Sequence, residues 1–138
     1  MKYLLDTNVI SETIRKTPDE HVKDWLQSIS SDQLYVSVLS LGEIRRGVEK
    51  LKDQPRKDFM TAWLENDLAF WFGDHVVPVS TDVADKWGYI TASGTFPAID
   101  SLIAATALTH NMKLVTRNVV DFKSIAGLEI INPWNFYN

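Results

Sequence analysis

Lys2-Tyr3-Leu4-Leu5-Asp6-Thr7-Asn8-Val9-Ile10 is the stretch on which the reading of this chain turns. Lys2 to Leu5 is an apolar run too short for a helix and reads as a buried strand. Asp6-Thr7-Asn8 supplies turn and helix-start side chains, and Val9-Ile10 resumes the apolar pattern on the far side. The unit is strand, polar turn, helix. An ionised carboxylate directly after such a run is costly to bury without a cation or several hydrogen-bond donors. The plain explanation of Asp6 is a helix cap accepting from backbone N–H groups just ahead. A cap and a ligand are compatible roles for one carboxylate.

The same handover recurs along the chain. Pro18-Asp19 opens a helix carrying Val22, Trp25, Leu26 and Ile29, and Leu34 to Val38 marks a second strand. A helix from about Ser40 carries Leu41, Ile44, Val48 and Leu51 and ends before Lys52-Asp53-Gln54-Pro55. Arg56 to Phe72 is one long helical run rich in aromatics, closed by Gly73. His75 to Val79 forms a third strand, and Ser80 or Thr81 caps a helix through Ile90 that Gly94 ends. Pro97 sits at the start of the next helix, which contains Asp100 and runs to His110-Asn111. Lys113 to Thr116 and Leu128 to Ile131 complete the strands. Strands alternating with helices need crossover returns, so the class is α/β, with a mainly parallel central sheet of about four or five strands flanked by helices. Residues 1–138 are expected to form one domain, a length that buries about 68–70% of the unfolded surface.

Composition narrows the chemistry. Apolar residues make up 45% and charged residues 23%, an ordinary globular balance. There are no cysteines, so thiolate catalysis and disulfides are excluded and a metal must be held by oxygen or His. The formal net charge of −4 gives no global attraction to nucleic acid, so a phosphate-rich substrate needs local cations. The first apolar run meets Asp6 after Leu5, which is not the pattern of a signal peptide or membrane span. A cytoplasmic protein without membrane contact is the expectation.

Ligands of parallel α/β sheets bind beyond the carboxyl ends of the strands. Asp6, Glu43 and Asp100 all lie at strand ends or helix starts, and Thr116-Arg117-Asn118, with Asp121 beyond it, ends the fourth strand. Each has a bland explanation. Ser40-Leu41-Gly42-Glu43 matches a capping box with Glu43 in the first helical turn, unless the helix begins near Ser37. Asp100 can simply favour a positive helix start, an effect of about 0.3–1 kcal/mol. Together, four such positions are harder to explain as unrelated caps than as one oxygen-ligand site. Thr7 and Asn8 either orient Asp6 or a phosphate oxygen, or serve local turn hydrogen bonding. Arg117 is a phosphate partner or a surface charge, and Arg45 and Arg46 are a guiding rim for a polyanion or a solvated helix face. The aromatics Trp25, Phe59, Trp63 and Trp71 read as core or subunit contacts rather than base-stacking platforms.

Four blocks make the sequence familiar: Leu4-Leu5-Asp6-Thr7-Asn8-Val9-Ile10-Ser11-Glu12, Ser40 to Gly47, Asp100 to Ala107, and Thr116-Arg117-Asn118-Val119-Val120-Asp121-Phe122. They resemble the PIN-domain ribonucleases, specifically VapC and FitB-type toxins, over nearly the whole chain. The resemblance implies a PIN-like fold and a metal-dependent endoribonuclease, the toxin of a VapBC-type toxin-antitoxin pair, with transfer RNA as the family-level target. It implies that Asp6, Glu43 and Asp100 are the catalytic acids that hold Mg²⁺ or Mn²⁺. The fourth ligand falls to Asn118, where some relatives have Asp, or to Asp121. Thr7, Asn8, Arg45, Arg46, Thr116 and Arg117 are the substrate-side candidates. The implied partners are RNA, a VapB-type antitoxin and a second copy of the chain, with DNA reached only through the antitoxin. Two rivals stay in view. A phosphotransfer enzyme of the haloacid-dehalogenase kind would resemble Asp-x-Asp where this chain has Asp6-Thr7-Asn8. An inactive metal- or RNA-binding module is the reading that Asn118 favours.

Overall fold

A computed structural model describes residues 1–137. Short apolar runs make the sheet and longer periodic runs cover it. β1 (Tyr3–Leu5) lies in the middle, with Tyr3 opposite Leu34 of β2 (Leu34–Ser37) and Leu4 opposite Leu114 of β4 (Lys113–Val115). β3 (Val76–Val77) flanks β2 and β5 (Ile130–Ile131) flanks β4. The five strands run in the order β3-β2-β1-β4-β5, and every described pairing is parallel.

Successive strand residues point to opposite faces, and here both faces are buried. Leu4 and Leu114 turn towards Ile103, Ala104 and Ala107 of α7 (Ala98–Thr109) and Phe122 of α8 (Val119–Phe122). Leu5, Val36 and Val115 turn the other way, onto Val9 and Ile10 of α1 (Thr7–Thr13), Val22 and Trp25 of α2 (Glu20–Ser28), and Ile44 and Val48 of α3 (Val38–Glu49). Burying one such Leu or Val side chain contributes about 1.5–3 kcal/mol. On the α7 side, α6 (Thr81–Thr91) is tied down by Trp87 Nε1 donating to Ser101 Oγ at 2.9 Å.

Three details differ from the expectation drawn from the sequence. The strands are shorter, and Val38 is the first residue of α3 rather than the last of β2, because Ser37 caps the helix by accepting from Leu39 N–H at 3.1 Å. Glu43 is therefore the sixth residue of α3, beyond the first turn, and the Ser40–Glu43 capping box does not form. The run expected to be one helix from Arg56 to Phe72 is divided into α4 (Gln54–Ala62), a π-helical segment (Trp63–Leu68) and α5 (Ala69–Phe72). The wider π turn puts Trp63, Leu64 and Leu68 into the core together. Gly73 then ends the run at φ 53°, ψ −122°, a conformation open to glycine. Among the described residues no helix is long and apolar enough to cross a membrane.

Candidate active site

The strand order places the site. From β1 the chain moves first to one side, through β2 and β3, and then returns to the other through β4 and β5. β1 and β4 are therefore neighbours whose connections diverge, and a cleft opens beyond their carboxyl ends. Asp6 follows β1 at that point, and its backbone N–H donates to Val115 O at 2.9 Å.

Asp6 is 5% exposed and uses both carboxylate oxygens. Oδ1 accepts from Thr7 N–H at 2.8 Å, the cap of α1, and Oδ2 accepts from Thr116 Oγ1 at 2.8 Å and from Asn8 Nδ2 at 3.4 Å. Burial pushes its pKa above the ordinary 3.8, against the Thr116 and Thr7 hydrogen bonds, and the charges of Asp100 and Glu43 push it further up. Asp100, in the first turn of α7, is also raised, by burial first and then by the charges of Glu43 and Asp121. Glu43 reaches the same region from α3, where Thr7 Oγ1 donates to its Oε1 at 2.6 Å.

Asp6, Glu43, Asp100 and Asp121 thus share one electrostatic field. None of them has a cationic partner within salt-bridge distance among the described residues. Nor is any group of three His, Cys, Asp or Glu side chains among the described residues gathered tightly enough to hold an ion. The donor set is nevertheless all oxygen, and a hard ion that keeps most of its waters needs only one or two carboxylates. A divalent cation fits here by charge and ligand chemistry, and these side chains do not form a closed cage.

The residues placed on the substrate side by their sequence positions behave differently. Thr116 is fully buried and gives its hydroxyl proton to Asp6, while its oxygen accepts from Asn8 Nδ2 at 3.2 Å and from Asn118 N–H at 3.0 Å. It holds Asp6 and has no surface to offer a substrate. Asn8 links the two sides of the cleft, since its Oδ1 accepts from Arg117 N–H at 3.2 Å. Thr7 is half-buried and orients Glu43. Arg45 pairs with Glu65 at 2.6 Å and with Glu49 at 3.3 Å, and the two carboxylates offset its charge. Arg46 is exposed and has no ion pair among the described residues. Arg117 is exposed, with its guanidinium 5.0 Å from the centre of the Trp134 ring.

At the fourth ligand position, no hydrogen bond to the Asn118 side chain caps α8. Asp121, one turn further on, is the group whose charge reaches Asp100. Asn118 is a neutral amide, so this charge effect does not rank the two positions. Arg56 was not singled out by sequence, yet it lines a cavity together with Thr7 and Glu43. Its local sequence gives no signal, because only the packing of α4 against α3 brings it there.

Fold and cleft together define a parallel α/β protein in which acids from the end of β1, from α3 and from α7 form an all-oxygen donor set. The PIN domain model matches residues 3–128, and the chain belongs to the PIN-domain family. It is 34% identical over 137 residues to Toxin FitB of Neisseria gonorrhoeae, covering 96% of this chain and 98% of that protein. It is 32% identical over 136 residues to VapC ribonuclease Y4jK of Sinorhizobium fredii, covering 95% and 96%. The crystal structure of FitAcB from Neisseria gonorrhoeae superposes with a TM-score of 0.89 at 34% identity, covering 97% of this chain and 99% of that one.

Proposed function

We propose that this protein is a metal-dependent endoribonuclease, the toxin of a VapBC-type toxin-antitoxin pair, folded as one domain and acting in the cytoplasm. The observation that carries the reading is Asp6, buried at the switch point of the sheet with a raised pKa and sharing its field with Asp100 and Glu43 without a protein cation. The toxin and ribonuclease names of the relatives support it.

In this reading Asp6 and Asp100 hold the ion, Mg²⁺ or Mn²⁺, and Asp121 or Asn118 completes its surroundings. When bound, a hard divalent ion supplies positive charge to the phosphoryl oxygens and makes a water more acidic. Thr116 and Asn8 fix the direction of the Asp6 carboxylate by the hydrogen bonds described. Thr7 occupies Oε1 of Glu43, so Oε2 is the oxygen that accepts the proton of the attacking water. Water attacks phosphorus, the P–O bond to the leaving ribose oxygen breaks, that oxygen takes up a proton from solvent, and Glu43 returns the proton it accepted to solvent.

The test is cleavage of RNA with Mg²⁺ or Mn²⁺, with chelator, and with Asp6→Asn. Cleavage is expected to need the ion and to fall by at least about 100-fold in the variant, since even outer-shell partners of metal sites cost 10–100-fold. Chelator-resistant cleavage that survives Asp6→Asn contradicts the reading. Sequencing RNA ends after a brief pulse of the wild type beside Asp6→Asn identifies the target, with transfer RNA as the first candidate.

A VapB-type antitoxin with an arginine aimed into the cleft has the complementary charge to cover these carboxylates, and DNA would be reached only through that partner. Exposed Phe59, Phe70 and Tyr89 supply apolar surface for a homodimer. Sedimentation at micromolar concentration that finds only monomer contradicts the dimer.

A further inference from the structure

Two cavities meet at Glu43, one on either side of α3. The first, about 180 Å³, lies between α1, α3 and α4, and Thr7, Gly47, Leu51, Arg56 and Trp63 line it with Glu43. The second, about 210 Å³, lies between α3 and the start of α7, and Leu39, Gly42, Arg46 and Ile99 line it with Glu43. Both are smaller than the roughly 300–1,000 Å³ of a pocket for a drug-sized ligand.

The two cavities have the same make-up. Each carries one arginine, Arg56 or Arg46, that has no ion pair among the described residues, whereas neighbouring Arg45 is held by two glutamates. Each has an apolar wall, Leu51 and Trp63 in one and Leu39 and Ile99 in the other. Each includes a glycine of α3 at which an added Cβ would meet nothing within 4 Å, Gly47 in one and Gly42 in the other. Glycine is a poor residue for a helix interior, and packing does not require it at either position. What the two glycines do provide is free space beside Glu43.

An arginine, an apolar wall and free space next to a carboxylate suit part of one nucleotide, its phosphate on the guanidinium and its base or ribose against the wall, with the remainder outside the cavity. A base laid against such a wall must be free of its pairing partner, so the strand taken here is a single one. With a formal net charge of −4, the chain has no global attraction for a polyanion, so these two free cations are placed where local attraction is needed.

We propose that single-stranded RNA crosses α3 at Glu43, with the nucleotide on one side of the scissile phosphate seated against Gly47 and Arg56 and the nucleotide on the other side against Gly42 and Arg46. Arg56, Gly47 and Gly42 are then positioning residues for the substrate, an assignment that rests on the ribonuclease reading above.

The experiment compares two substrates in Mg²⁺ with the full chain: a single-stranded RNA and bis(p-nitrophenyl) phosphate, a diester too small to reach either cavity. Arg56→Glu and Gly47→Leu are expected to lower kcat/KM on the RNA by about ten-fold or more and to leave hydrolysis of the small diester unchanged. Arg56→Glu should also flatten the log–log salt dependence of RNA binding by about 0.7, the slope for one phosphate contact on a single strand. Gly47→Ala guards against misfolding, because it should raise Tm and still slow RNA cleavage. Stabilisation without a loss on RNA would mean that the glycine's space is not used. Wild-type kcat/KM on RNA in both Arg56→Glu and Gly47→Leu overturns the proposal. So does unchanged RNA cleavage combined with weakened capture of a co-expressed partner protein, which would assign the cavity to that partner. If the wild type hydrolyses the small diester and never RNA, the ribonuclease reading falls and takes this inference with it.

Discussion

Asp6 caps α1 with one carboxylate oxygen and faces Thr116 and Asn8 with the other. The cap and the ligand therefore do not compete, and Asn at this position removes the charge while turning one of the two acceptors into a donor, opposite either Thr7 N–H or Thr116 and Asn8. Asp6 and Asp100 both titrate above their ordinary 3.8 in the fold. Between that value and the raised ones, the native state binds more protons than the unfolded chain. Their contribution to stability is thus greatest below the ordinary value and falls as pH rises through the raised ones. In chelator, the urea midpoint of Asp6→Asn relative to wild type is expected to climb with pH across that window. A difference that stays flat with pH would show that Asp6 carries no such strain. Asp6 was legible from sequence because a charge stands directly after an apolar strand. The part played by Thr116 was not, since its donation to Asp6 joins residues 110 positions apart.

Among the elements, α3 departs most instructively from its local pattern. Ser40 and Glu43 have the spacing of a capping box, yet Ser37 is the cap, and Ser40 Oγ is buried without a hydrogen-bond partner. The decisive competitor is the parallel pairing of β2, which ends at Ser37 and leaves the chain free to turn there. Ser37→Ala is expected to cost about 1 kcal/mol, the usual loss for a cap. Ser40→Ala should be close to neutral, because no hydrogen bond is lost. Chemical denaturation of both variants checks this, and the opposite ranking would restore the capping box. The one-turn shift matters for function: it moves Glu43 off the helix end and leaves its side chain free to meet Thr7.

At the scale of the whole molecule, the strand order turns separate carboxylates into one cleft. Bringing like charges together lowers stability, and an ion that binds only the native state offsets that cost by RT ln(1 + [L]/Kd), about 2.7 kcal/mol at 100 times Kd. Mg²⁺ or Mn²⁺ is therefore expected to raise the Tm of the wild type at neutral pH and to leave Asp6→Asn almost unmoved. An equal shift in both proteins, read by scanning calorimetry, would place the ion elsewhere.

The sequence by itself determined the alternation of strands and helices, the parallel sheet, the exclusion of thiolate chemistry and the acids at strand ends or helix starts. These follow from side-chain periodicity and from the company each residue keeps within a few positions. The tertiary structure decided which acids share a field, that the charge of Asp121 is felt by Asp100, that Arg45 pairs with Glu49 and Glu65, and that Arg56 lines a cavity beside Glu43. Those outcomes depend on which strand lies beside which and on how α4 packs against α3. They are long-range contacts that no local pattern encodes.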